Sequence, residues 1–301
     1  MIKKIFSALA AGALLFAGVA LGAGDFAKSA DNSAVSAIAL ADIPAYSGSP
    51  YVELSEGQPA FSEAMISVAL ESYESYSKLD SLKRPGMAVA SVGRDLMPTE
   101  ERGPIGMVKP AGFVNIRYDD LIEDKYLYNR CHIIGFQLTG ENANERNLIT
   151  GTRYMNVEGM LPFENQIASY VKETGNHVLY RVTPVYDGKE LLCRGLQMEA
   201  LSVEDGGEGL SFHVFVYNVQ PGIVIDYADG DSRRATEEEI SGAGAAGNGV
   251  AAYILNTNSK KFHYPSCSSV DDMSEKNKRP AAEDRSTIIA QGYTPCKRCN
   301  P

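Results

Sequence analysis

The chain has 301 residues, 44% of them hydrophobic and 22% charged, which describes a globular protein and excludes a disordered or fibrous one. The net charge of −10 excludes a polypeptide that coats a polyanion by bulk charge and leaves room only for a locally basic cleft. Five cysteines in this length exclude a disulfide-dense scaffold.

Lys3 and Lys4 precede an apolar run from Ile5 to about Leu21, and Gly22, Ala23, Gly24 and Asp25 follow. A basic start, an apolar middle and a small-residue exit make a secretory leader over residues 1–24, the alternative being an uncleaved anchor. A mature chain is then expected outside the cell or at its surface, with no membrane span after cleavage and no stable protein partner. Residues 25–42 are small and polar and read as a loose segment.

A main domain is expected over residues 43–229. Phe61 to Leu79 reads as a helix and residues 85–150 as turn-rich. A second, amphipathic helix spans residues 158–173, with Ile167, Tyr170 and Val171 on one face. Strand-like runs at 178–185, 191–201 and 212–219, parted by Gly188 and the Asp205-Gly206-Gly207 turn, predict an antiparallel meander. Residues 230–249 turn acidic and then Gly/Ala-rich, as a linker does, and 250–301 form a small tail domain.

The chemistry-bearing text is Tyr126 to Glu164. Tyr126, Leu127 and Tyr128 suggest a strand that delivers Asn129, Arg130, Cys131 and His132 at its end; Asn142, Asn144, Asn147, Arg153, Asn156 and Glu164 follow. Asn-rich text by itself is loop and cap chemistry, and a lone histidine is usually structural. In combination, a neutral imidazole can deprotonate water near neutrality, a few protein oxygens suit a hydrated Mg²⁺, and arginine suits a phosphate oxygen. On an ideal helix, however, the eight residues from Asn156 to Glu164 turn through about 800°, which leaves Glu164 roughly 80° off the face of Asn156. Pro162 is also expected to disturb the helix.

With Asn147 and Asn156 nine apart and Glu164 eight further on, behind Asn129-Arg130-Cys131-His132, the sequence resembles the DNA/RNA non-specific endonucleases of the ββα-metal fold, nearest their streptococcal DNase and DNA-entry nuclease branch. The resemblance covers roughly residues 100–228. It implies an α+β protein with a ββα-metal core and an antiparallel sheet, cutting phosphodiester bonds of DNA, with RNA left open. It implies His132 as general base, Asn156 as the direct ligand of Mg²⁺ and Glu164 as the group that orients metal-bound water. Asn129 and Arg130 fall in the catalytic motif, and Arg153 and Asn147 on the substrate side, Arg153 contacting phosphate and Asn147 holding the geometry. Asn129 stands where the family pattern has aspartate, and Cys131 where it has glycine. An amide oxygen can still accept a hydrogen bond to orient the histidine but cannot stabilise an imidazolium as a carboxylate does. These departures keep a second reading open, a catalytically weakened nucleic-acid- or cell-surface-binding protein. Cys131 and Cys193 could pair or remain buried thiols.

In the tail, His263, Cys267, Cys296 and Cys299 are spaced H-x₃-C-x₂₈-C-x₂-C, the donor set of a closed structural zinc site. The layout resembles the metal-binding domain of the Ada DNA-repair protein, with His263 in place of its first cysteine. It implies a small zinc-knuckle-like α/β domain stapled by Zn²⁺. An oxidised Cys296–Cys299 pair or free thiols are the alternatives. No expected catalytic residue lies beyond the linker, so the tail is expected to be dispensable for chemistry. Residues 251–301 carry eight Lys/Arg against five Asp/Glu, a net +3 that suits a polyanion tether or a solvated surface.

Overall fold

The computed structural model describes residues 38–242, 253–264, 267–281, 288–289, 291–299 and 301. The expected leader and the Gly/Ala-rich text of the linker lie outside the described residues.

Alternating apolar positions build a six-stranded antiparallel sheet from β1 (Tyr51–Glu53), β2 (Tyr73–Tyr76), β3 (Ala88–Val92), β6 (Val178–Val185), β7 (Gly195–Ser202) and β8 (Ser211–Tyr217). Its order is β1-β8-β7-β6-β3-β2, so the meander expected from residue 178 onward forms the sheet's middle. Between β3 and β6 the chain leaves the sheet to make a two-stranded hairpin, β4 (Tyr128–His132) and β5 (Leu148–Thr152), followed by a helix. One sheet face packs Ala90, Val178, Tyr180, Met198 and Val214 against Phe163, Ile167 and Val171 of that helix. On the other face Arg181 and Glu199, both essentially inaccessible, form a 2.7 Å ion pair. Through the main chain of Ala60 this pair also fastens the N-terminal segment to the sheet. Each charge is paired and hydrogen-bonded, as burial requires.

The helix expected over 61–79 is shorter. Only Glu63–Val68 is helical (α1), capped by Ser62, whose side chain accepts from the Met65 N–H. Tyr73, Glu74, Ser75 and Tyr76 are instead recruited by β3, opposite Ser91, Ala90, Val89 and Ala88. Pairing along an available sheet edge outweighs weak helical periodicity here. Residues 232–234, expected within the linker, belong to a strand pair. Ser232–Arg234 (β10) pairs with Ile223–Ile225 (β9), and Arg234 contacts Asp120. These ladder bonds and the ion pair fix residues whose composition alone reads as loose.

The tail forms its own four-stranded sheet, in the order β13 (Lys278–Ala281), β11 (Tyr253–Asn256), β12 (Lys261–His263) and β14 (Thr294–Pro295). Its core holds Leu255, Phe262, Tyr264 and Ile288. Tyr264 meets Tyr51 of edge strand β1 edge-to-face at 6.3 Å, so the tail packs on the main domain. No helix among the described residues is long and apolar enough to cross a membrane.

Candidate active site

The residues of β4 divide between a cleft and the core. Tyr128, Arg130 and His132, with Asn129, line a cleft of about 690 Å³, while Cys131 is 1% exposed in the main core. The cysteine fits there because Gly151 faces it: a Cβ on Gly151 would lie 2.6 Å from the Cys131 sulfur. Cys131 and Cys193 are both free buried thiols, and burial pushes Cys193 up to about 12. Neither is therefore a thiolate nucleophile at neutral pH.

The cleft wall opposite β4 is the start of the helix after β5. Met155–Met160 is a π-helical stretch that continues directly into α2 (Leu161–Thr174). Pro162 has no N–H to donate and its ring crowds the carbonyl four residues back, so the wider π turn relieves the conflict. Gly159 lets this turn press on β8, since a Cβ there would come within 2.3 Å of Val216. The π turn absorbs one residue, so the rotation from Asn156 to Glu164 falls from about 800° to about 700°, close to two full turns. Both side chains accordingly face the same cleft. The off-face geometry expected from an ideal helix does not arise.

His132 Nε2 lies 2.8 Å from the Asn142 carbonyl oxygen, which can only accept. The Nε2–H therefore donates, and Nδ1 keeps its lone pair. The Arg102 guanidinium lies 3.5 Å from Nδ1. Burial lowers the imidazole's pKa, the Asn142 carbonyl opposes this, and Arg102 lowers it further. The ring is thus held neutral at neutral pH with its basic nitrogen toward the cleft. Arg102 carries no sequence motif. Its approach depends on Gly103, where a Cβ would lie 2.9 Å from the Asn142 amide nitrogen.

Asn129 does not orient the histidine. Its Oδ1 accepts from Asn156 Nδ2 at 3.2 Å, which fixes the Asn156 amide and frees its oxygen as a ligand atom. Glu164 is 7% exposed, and its Oε1 has no hydrogen-bond partner. Burial raises its pKa to about 7 against the lowering effect of the Gly135 N–H. Gly135 is matched to that contact, because a Cβ there would lie 2.6 Å from Glu164 Oε2. An orphaned buried carboxylate oxygen beside a fixed amide oxygen suits a hydrated divalent cation, which brings both charge and donors.

Asn147, expected on the substrate side, is fully buried and does not line the cleft. Its Oδ1 accepts from the Ile134 N–H at 2.8 Å and its Nδ2 donates to the Ile134 carbonyl at 3.0 Å. It clamps the loop between His132 and Gly135 and makes no contact in the cleft. Arg130 donates to the Val108 and Gly106 carbonyls and stacks on Phe113 at 4.1 Å, bracing the other cleft wall. Arg153 pairs with Asp124 at 2.8 Å and keeps the rest of its fork on the cleft. Arg102, Arg130 and Arg153 against Glu164 make a basic cleft on an acidic protein.

In the tail, the ligand atoms of His263, Cys267, Cys296 and Cys299 lie within 4.8 Å of one another, and all four residues are buried. His263 Nδ1 has no hydrogen-bond partner. A zinc tetrahedron with Zn–S near 2.3 Å has edges of about 3.8 Å, so this donor set fits such an ion with small adjustments.

Residues 64–204 match the family described as DNA/RNA non-specific endonuclease, a stretch that includes β2 to β7 and α2. A deoxyribonuclease of Streptococcus dysgalactiae subsp. equisimilis is 33% identical over 112 residues, which is 36% of this chain and 33% of that protein. The match thus spans about a third of that relative. The crystal structure of NucA from Streptococcus agalactiae with magnesium bound superposes with a TM-score of 0.57 at 24% identity, covering 65% of this chain and 92% of that one. The metal-free form of NucA gives 0.56 over the same shares. The shared feature is the fold.

Proposed function

We propose that the protein is an exported, Mg²⁺-dependent endonuclease that hydrolyses phosphodiester bonds of DNA, and of RNA by the same chemistry, without sequence preference. One observation carries the reading. A neutral histidine whose Nδ1 carries no proton, an asparagine oxygen fixed for ligation and an orphaned buried glutamate converge in one arginine-lined cleft. The match of residues 64–204 to the endonuclease family supports it.

In this reading, Nδ1 of His132 takes the proton of the attacking water as that oxygen approaches phosphorus. The Asn142 carbonyl stabilises the imidazolium that forms, where the family's pattern would suggest a carboxylate. Arg153 and Arg102 hold phosphate oxygens, and Arg130 keeps the wall at 106–108 in place. A Mg²⁺ held by the Asn156 oxygen with Glu164 behind it would, when bound, offset charge on the phosphate and the leaving 3′ oxygen. Asn129 acts through Asn156 and Asn147 through the 133–135 loop. The amide at position 129 fixes Asn156 and leaves His132 to the Asn142 carbonyl, which favours catalysis over a decayed binding module.

Export rests on the leader text of residues 1–24, and the Cys₃His cluster is read as a structural zinc site that staples the tail. The decisive experiment is incubation of the purified mature protein with supercoiled plasmid and with RNA, with and without Mg²⁺. Magnesium-dependent nicking and then degradation is expected, and Asn156→Ala should abolish it while leaving the circular dichroism spectrum intact. Persistent inertness of the wild-type chain toward both polymers would refute the reading.

A further inference from the structure

Tyr126 is the one exposed tyrosine among the described residues, at 39%, and it lines the same cleft as His132 and Glu164. Exposed aromatics elsewhere are often incidental. This one is held in place. Its main chain makes an isolated antiparallel bridge with Arg117, whose guanidinium lies over the ring at 5.3 Å. Asp119 in turn fixes that guanidinium through two bonds of 2.9 and 3.0 Å. The next residue, Leu127, is fully buried, and its carbonyl accepts the Arg153 N–H at 2.8 Å. Ring and phosphate-side arginine therefore sit on one rigid frame at the cleft wall.

Tyr126 lies six residues before His132 along a nearly extended chain, at most about 20 Å away. A separation of that order suits a position a few nucleotides along the strand from the reacting phosphate. A rigid, backed aromatic ring beside an arginine is the arrangement that holds bases by stacking, and it tolerates every sequence because every base has a π-face. Stacking requires a base whose face is free. In a closed duplex both faces are taken by neighbouring base pairs.

Building on the nuclease reading, we infer that Tyr126 is a stacking platform for a nucleobase flanking the scissile phosphate, and that it gives the protein a preference for strands with unpaired bases. A fully phosphorothioate-linked single strand, which resists cleavage, serves as the probe, with binding measured by fluorescence anisotropy. Tyr126→Ala should weaken binding by about 5- to 150-fold, and Tyr126→Phe should bind as wild type does. An abasic nucleotide walked along the probe should reproduce the loss at one position in the wild-type protein and have no effect there in Tyr126→Ala. On strands with a single cleavable linkage the same change should appear in KM, with kcat retained. Unaltered affinity of Tyr126→Ala, or a loss that an abasic site does not mimic, would overturn the inference. A wild-type protein that binds with this pattern but cuts nothing in Mg²⁺ would sink the nuclease reading and leave the stacking assignment standing.

Discussion

Asn147→Ala separates a positioning role from a substrate contact. In the folded protein the Asn147 amide satisfies both main-chain groups of Ile134, at 2.8 and 3.0 Å, in a region with no solvent access. Removing the amide strands a donor and an acceptor, and each buried orphan costs about 1–3 kcal/mol. The expected destabilisation is about 2–6 kcal/mol. For a unit of roughly 150–250 residues this lowers Tm by about 4–24 °C. The chain has no tryptophan, so urea unfolding is best followed by far-ultraviolet circular dichroism. Steady-state cleavage is then measured well below the variant's midpoint. KM should stay at the wild-type value while kcat falls, because the loop carries His132 at one end and Gly135, which supports Glu164, at the other. A variant within about 0.5 kcal/mol of wild type, the range of an inconsequential surface change, but with a raised KM would refute the clamp and restore a substrate contact.

His132→Ala should lower kcat by about 10²–10⁴-fold, and near-wild-type turnover would end its assignment as the base. The folded pKa of His132 is depressed, so activity should persist below the ordinary histidine value of 6.5 and fall as pH drops through the lower folded value; Arg102→Ala should move that acid limb upward, and an unmoved limb would remove Arg102 from the account. Glu164 has the opposite sign. Its folded pKa, near 7 against 4.5, makes its contribution to the stability of the metal-free protein full below about pH 4.5 and lost as pH rises through 7. Glu164→Gln should therefore raise the stability of the metal-free protein at pH 8 by about 3 kcal/mol and change little at pH 4.5, while cutting turnover about 10–100-fold; pH-independent stability would contradict the burial argument. The tail should carry stoichiometric zinc by atomic emission, lost in Cys267→Ser, and a folded, reduced, metal-free tail would refute the zinc site. Truncation after residue 242 should leave cleavage of short strands intact and cost the main domain about 1 kcal/mol through the lost Tyr51–Tyr264 contact, whereas loss of short-strand cleavage would show that the tail takes part in chemistry.

By itself the sequence determined most of the polar residues that line the cleft and the meander that supports them. Alternating apolar runs specify strands locally, and β6 matches its expected bounds of 178 and 185. The spacing of Asn147, Asn156 and Glu164 marked the site because those residues sit on one hairpin-helix unit, where sequence distance maps onto geometry. The His263, Cys267, Cys296 and Cys299 cluster was legible for the same reason, as pairs of closely spaced side chains on or after β12 and after β14. What each residue does was decided only by long-range contacts. The partner of His132 is a main-chain oxygen ten residues away, and Arg102 reaches it from thirty residues upstream; a carbonyl leaves no mark in side-chain text, and an arginine in a turn-rich segment carries no periodicity. Asn147 turned inward because the Ile134 peptide had no other partner. The common face of Asn156 and Glu164 depends on a π turn, whose extra residue per bulge is invisible to a calculation on an ideal helix. Spacing survives translation into structure where one element holds all the residues. Where separate segments must meet, packing and the need to satisfy buried polar groups choose the partners.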